Sequence, residues 1–174
     1  MDLKEKVRII EDFPFAGISF KDITPLLSDP DVYVETINQL EKVVQNLDEK
    51  PDIIVAPESR GFFFGIPLSF KMGIGFAPAR KPGKLPCEVV SQEYTLEYGT
   101  NSIEMHKDAI SPGTKVLIVD DLIATGGTLL ATAQLVEKMG GDIVGMIAVI
   151  ELTDIGGLEK LKKYNPTALI SYPY

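Results

Sequence analysis

Two adjacent carboxylates, Asp120 and Asp121, stand at the end of the apolar run Val116-Leu117-Ile118-Val119. The glycine-rich stretch Ala124-Thr125-Gly126-Gly127-Thr128 follows, and after it Leu129, Ala133, Val136 and Gly140 fall on one helical face. The run suits a buried parallel strand, and the stripe suits a helix. Two acids and a glycine turn thereby sit at the carboxyl end of a strand, where open α/β sheets bind ligands. The turn presents backbone N–H groups and a helix N-terminus, which together favour an anion such as phosphate. The acids cannot serve that anion and suit sugar hydroxyls or a cation instead. One loop that suits phosphate, diol and metal points to a phosphorylated sugar. A Walker-type site would need G-x-x-x-x-G-K-[ST], and a dinucleotide fold G-x-G-x-x-G after a strand; the chain contains neither.

Two further segments carry chemistry. Ala56-Pro57-Glu58-Ser59-Arg60-Gly61-Phe62 lies between an expected strand and an expected helix. It reads either as a helix start capped by Ser59 or as backbone N–H groups and Arg60 around a second anion. Arg80-Lys81-Pro82-Gly83-Lys84-Leu85-Pro86 directly follows a strand. In an acidic chain those cations are candidates for a diphosphate rather than a plain solvated turn. His106 and Cys87, each the single residue of its type, read as incidental.

These groups need a scaffold. Residues 4–12 are expected as a short helix, and 13–29 as an irregular strap rich in large apolar side chains. Tyr33, Ile37, Leu40, Val44 and Leu47 follow helical spacing, with Asp29 as cap and Pro30 near the start. Strands are expected at 52–56, 74–79, 143–150 and 168–171, and helices at 60–72 and 158–164. Pro67 marks a kink or early turn. Residues 87–94 and 101–106 read as a mobile antiparallel hairpin broken near Gly99. The alternation gives an α/β fold, a central mostly parallel sheet with helices on both faces.

The 174 residues fit one domain, with 1–29 as strap and 80–112 as a flexible flap, and 45% hydrophobic residues can fill a core. A single cysteine excludes an internal disulfide and fits a reducing compartment, so a cytoplasmic protein is expected. No signal peptide and no membrane span of about 18 apolar residues is expected. A net charge of −8 without a large basic cluster argues against nucleic acid. It also requires that any phosphate site be built from backbone amides, a few placed cations or a metal.

The strand, acid pair and Thr-Gly-Gly-Thr turn resemble the diphosphoribosyl signature of the type I phosphoribosyltransferases. The resemblance runs from residue 12 to about 152. It implies that Asp120 and Asp121 hold the ribose hydroxyls, and that Ala124, Thr125, Gly126, Gly127 and Thr128 hold the 5′-phosphate. Glu58, Ser59 and Arg60, with Arg80, Lys81 and Lys84, would face the diphosphate; the family's equivalent loop often contains a non-proline cis peptide, placed here at Glu58–Ser59. Leu-Glu-Tyr-Gly at 96–99 resembles the catalytic loop of the family members that act on adenine, with Glu97 and Tyr98 as the matching catalytic positions. The strap resembles their base cover, implying adenine contacts from Ser19, Phe20, Lys21 and Leu122. Many relatives carry Arg where Lys21 stands, so its backbone carries that implication better than its side chain. The implied reaction joins adenine to 5-phosphoribosyl 1-diphosphate, giving AMP and diphosphate in purine salvage, with Mg2+ held mainly by the substrate. Relatives are commonly homodimers, which sets the same expectation here. Two rivals remain at this stage. A 6-oxopurine enzyme would want a donor to O6, which Leu122, Ile123 and Ala124 do not offer. A non-catalytic regulator would add a DNA-binding module.

Overall fold

The computed structural model describes residues 1–95 and 100–174. In chain order its elements are β1 Arg8–Ile10, β2 Phe20–Asp22, α1 Thr24–Ser28, α2 Pro30–Gln45, β3 Ile53–Pro57, α3 Phe62–Met72 and β4 Gly75–Ala79. The hairpin strands β5 Val89–Thr95 and β6 Thr100–His106 come next, then β7 Lys115–Ile123, α4 Gly127–Lys138, β8 Asp142–Leu152, α5 Gly157–Leu161 and β9 Pro166–Tyr172. Five strands form one parallel sheet in the order β4-β3-β7-β8-β9. The chain leaves β3 for β4 on one side and β7 for β8 on the other. The strand order therefore reverses between β3 and β7, and ligand crevices of open α/β sheets form outside the carboxyl ends at such a point.

Alternation along the central strands feeds two cores. Leu117, Val119, Ile147 and Val149 face Leu40 and Val44 of α2 and Phe64 and Leu68 of α3. Val116, Ile118, Met146 and Ala148 face Leu129, Ala133 and Val136 of α4. Helices thus cover both faces, as the alternating pattern predicts. α2 begins where Asp29 accepts hydrogen bonds from the Asp31 and Val32 amides, at 3.1 and 3.3 Å, with Pro30 as its first residue. Such a cap stabilises a helix by about 1 kcal/mol. Pro67 lies inside α3 and cannot donate to the Phe63 carbonyl four residues back. The Tyr33 hydroxyl of α2 donates to that carbonyl instead, so α3 continues through the proline.

The N-terminus departs from the expected helix at residues 4–12. Only Lys4–Lys6 forms a 3-10 turn; β1 then pairs antiparallel with β2, Arg8 opposite Asp22 and Ile10 opposite Phe20. Leu3 and Val7 are spaced as on a helix and both are buried, but a turn and a strand bury them. The β-branched Ile9 and Ile10 gain a ladder with β2 that a short helix could not supply. The strap is accordingly less irregular than its prolines predict. Its tip is held by a hydrogen bond from the Gly17 amide to Asp12 Oδ1 at 2.7 Å, while Phe15 is 75% exposed.

The hairpin is not free-standing at its base. Ile103 and Met105 are buried in the α4-side core, the Lys138 ammonium donates to the Ser91 carbonyl at 2.9 Å, and Arg80 exchanges backbone hydrogen bonds with Glu104. Among the described residues no helix is long and apolar enough to cross a membrane.

Candidate functional site

β7 does not stop at the acids. It runs through Asp120 and Asp121 to Ile123, because β8 goes on pairing with it: Asp120 lies opposite Ala148 and Leu122 opposite Ile150. β3 leaves β7 after Val55 and Ile118. The two carboxylates therefore line the crevice that opens between separating strands.

A cleft of about 420 Å³ occupies that crevice. The β3–α3 loop supplies Glu58, Ser59 and Arg60 to it, and the end of β7 supplies Asp120, Asp121 and Leu122. Residues 124–128 close another side, and Lys81 reaches in from the segment after β4. Four stretches separate in sequence thus meet in one cavity.

Residues 124–128 turn sharply into α4. Gly126 has φ +75°, a left-handed conformation that glycine adopts at little cost, and no side chain caps the helix. The first amides of α4 therefore remain free for an anion. On the opposite wall the Glu58–Ser59 peptide is cis, where the resemblance implied such a bond.

The acidic pair is almost wholly enclosed. Asp120 Oδ1 accepts the Asp121 amide at 2.8 Å. Burial pushes both carboxyls upward from the ordinary aspartate range; the neighbouring Asp121 charge raises Asp120 further, and the Arg60 guanidinium draws Asp121 back. Arg60 Nε stands 3.0 Å from Asp121 Oδ2, yet that buried oxygen receives no aligned hydrogen bond. The contact is an ion pair that leaves an acceptor open, and a ligand hydroxyl is the kind of donor that fits it.

Arg60 also lies over the ring of Phe20, with Cζ 5.6 Å from the ring centroid, and Phe13 packs edge-on against Phe20 at 5.2 Å. This brings the strap to the mouth of the cleft. Lys21 turns elsewhere: its ammonium is buried and donates to the Ser19 carbonyl at 2.9 Å and the Ser19 hydroxyl at 2.8 Å.

Arg80 does not line the cleft. Its Nε donates to Glu58 Oε2 at 2.7 Å, and its Nη1 donates to the Lys84 carbonyl at 3.3 Å. Arg80 thereby holds the Glu58 loop and ties it to the basic turn. Glu97 and Tyr98 lie outside the described residues. His106 buries an unpartnered Nε2 at the end of β6, and Cys87 is exposed; neither lines the cleft.

Among the described residues no group of three or more His, Cys, Asp and Glu is arranged to hold a metal ion. Glu58 is taken by Arg80, so the cleft offers only the two aspartates as anionic donors. That set fits a divalent ion only if a ligand brings most of the oxygens.

Gly61 is a site residue that the sequence pattern does not announce. A Cβ there would fall 2.8 Å from the Pro57 carbonyl oxygen and 3.0 Å from Asp120 Oδ1. The missing side chain lets the start of α3 press against the end of β7, which puts Arg60 beside Asp121. Its position directly after Ser59-Arg60, at a helix start where no positive φ is needed, is the only sequence signal.

The family model of the phosphoribosyl transferase domain matches residues 9–171. The chain is 52% identical over 172 residues to an adenine phosphoribosyltransferase of Clostridium perfringens, covering 99% of each. Among solved structures it resembles adenine phosphoribosyltransferase from Thermoanaerobacter pseudethanolicus, at 51% identity, 98% coverage of each chain and a TM-score of 0.94. It also resembles the Saccharomyces cerevisiae enzyme complexed with D-2,5-dideoxy-2,5-imino-altritol 1,6-bisphosphate and adenine. There the identity is 38%, the coverage 97% of this chain and 96% of that one, and the TM-score 0.90.

Proposed function

The chain belongs to the phosphoribosyl transferase family, and from that membership we propose a function for the cleft. It transfers the 5-phosphoribosyl group of 5-phosphoribosyl 1-diphosphate to adenine, giving AMP and diphosphate. The observation that carries this reading is Arg60, which touches the acid pair and the strap aromatic from inside one cavity.

The reaction breaks the bond from ribose C1 to the diphosphate oxygen, which leaves with the electron pair. It forms a bond from adenine N9 to C1, and N9 loses its proton. Positive charge grows on the ribose and negative charge on the leaving group. Asp120 and Asp121 grip the 2′ and 3′ hydroxyls and place negative potential beside the developing cation. The amides of residues 124–128 hold the 5′-phosphate. Ser59, Arg60 and Lys81 face the diphosphate, while Glu58, Arg80 and Lys84 hold their loops in register. Mg2+ carried in on the diphosphate, with Asp120 and Asp121 as the nearest carboxylates, supplies Lewis-acid stabilisation of the leaving group.

Adenine sits under the strap, between Phe20 and Leu122, its edge read by backbone groups at Ser19 to Lys21. The Lys21 ammonium fixes the Ser19 carbonyl that does this reading. Glu97 manages the N9 proton and Tyr98 closes with it over the reacting centre. Closure excludes water, which would otherwise hydrolyse the diphosphate ester.

The test mixes the protein with phosphoribosyl diphosphate, Mg2+ and each nucleobase in turn. AMP from adenine alone is the expected result. Nucleotide from hypoxanthine or guanine would reassign the base, and binding without turnover would overturn the catalytic reading. Glu97→Gln is expected to lower kcat about a hundredfold, at the low end for general acid–base groups. Diphosphate binding, followed by calorimetry, should stay as in the parent; unchanged turnover would remove Glu97 from the proton transfer.

A further inference from the structure

The phosphate loop has a second wall that faces away from the ligand. α5, in the crossover from β8 to β9, opens directly behind it. Gly157, its first residue, is buried, and a Cβ there would lie 2.0 Å from the Ala124 carbonyl oxygen and 2.9 Å from Ile123 Cγ2. Backbone meets backbone at that point, and no side chain fits between. The loop answers in kind: a Cβ on Gly126 would lie 3.1 Å from the Gly157 carbonyl oxygen and 3.2 Å from Leu161 Cδ1. Leu161 is itself fully buried, so the wall cannot retreat into solvent.

The neighbouring Gly156 differs in kind. It needs glycine for its φ of +70°, but a Cβ there would meet nothing within 4 Å. One glycine serves the turn and the other serves the loop.

We propose that Gly157 is a positioning residue for the phosphoribosyl substrate: its bare Cα sets how far residues 124–128 stand from the 5′-phosphate. This rests on the assignment of that loop to the 5′-phosphate. Amide donors act at about 2.7–3.1 Å from their oxygen, and a misplacement of about 1 Å from a remote mutation costs about a hundredfold. Any methyl at residue 157 must push the Ala124 carbonyl, and the loop with it, toward the cleft.

The experiment measures both Michaelis constants by AMP formation and binary binding of ribose 5-phosphate by calorimetry. Gly157→Ala is expected to raise KM for phosphoribosyl diphosphate and weaken ribose 5-phosphate about thirtyfold, with KM for adenine moving less than twofold. Gly156→Ala is expected to lower Tm while leaving both constants as in the parent. Leu161→Ala withdraws the support behind Gly126 without inserting a clash, and should raise KM for phosphoribosyl diphosphate about fivefold. It keeps the question open should Gly157→Ala not fold. If the parent makes no AMP, the reading of the site itself fails. If the parent is active, parental constants in both Gly157→Ala and Leu161→Ala would overturn the positioning role. So would a Gly156→Ala variant as impaired in phosphoribosyl diphosphate as Gly157→Ala.

Discussion

Asp120→Asn is expected to lower kcat/KM about a thousandfold and, at the same time, to raise the melting temperature. The two effects share one cause. Asp120 is buried beside a second carboxylate, and burial followed by the Asp121 charge lifts its pKa well above the ordinary 3.8. An acid whose folded pKa lies above its unfolded one binds its proton more tightly when folded. The stability it contributes is therefore present below the unfolded value and is lost as pH rises through the folded value. At neutral pH the loss is complete, and the ionised pair is a standing destabilisation of the fold.

Asparagine removes that charge without removing the contact, since its Oδ1 still accepts the Asp121 amide as Asp120 Oδ1 does at 2.8 Å. Relief of about 1 kcal/mol corresponds to about 2–4 °C for a chain of this length. The gain should shrink as pH falls toward 4, where the parent carboxyl is protonated as well. Activity moves the other way. A charge pair about 5 Å apart at an effective dielectric of about 20 is worth about 3 kcal/mol, and the weaker grip on a ribose hydroxyl adds about 1 kcal/mol. Together these reach about a thousandfold in rate. Calorimetry across pH and steady-state kinetics on the same samples decide it. An asparagine variant that melts lower at neutral pH, or turns over like the parent, removes the acid pair from the role given to it.

What was legible in the sequence follows the range of the interactions involved. Residues 116–128 declare themselves because strand period, acid pair and turn glycines are local, and a parallel sheet needs little more than that alternation. The cap at Asp29 is equally local. The strap misleads because the partner that turns residues 8–10 into a strand lies beyond a turn, at residues 20–22. The length of β7 was hidden for a similar reason: acids read as the end of an apolar run, whereas β8 carries the ladder past them. Three cations after β4 looked equivalent in one dimension. In space Arg80 belongs to Glu58, 22 residues earlier, and Lys81 reaches the cleft. Gly61 and Gly157 are legible only once the backbones they separate are known.

Arg60 should tolerate even its nearest substitute poorly. Arg60→Ala is expected to lower kcat/KM about a thousandfold, and Arg60→Lys to restore no more than a tenth of that loss on a logarithmic scale. Nε pairs with Asp121 Oδ2 at 3.0 Å while the guanidinium plane lies over Phe20. Removing one partner of a buried pair costs about 3–5 kcal/mol. Arg60 is 40% exposed whereas Asp121 is 5%, so the low end, about 3 kcal/mol, applies. Loss of a charged contact to the diphosphate adds about 1.5 kcal/mol. A lysine ammonium is a compact point charge without a planar face, and it cannot span the carboxylate and the ring together. The pH dependence carries a second signature. Arg60 draws the Asp121 pKa down against burial, so its removal raises that pKa further. The acid limb of kcat/KM should therefore move to higher pH in Arg60→Ala, and less so in Arg60→Lys, which keeps the charge. A lysine variant with parental kcat/KM would show that positive charge alone suffices. The arginine would then not be the piece that joins ribose, diphosphate and base in one cavity.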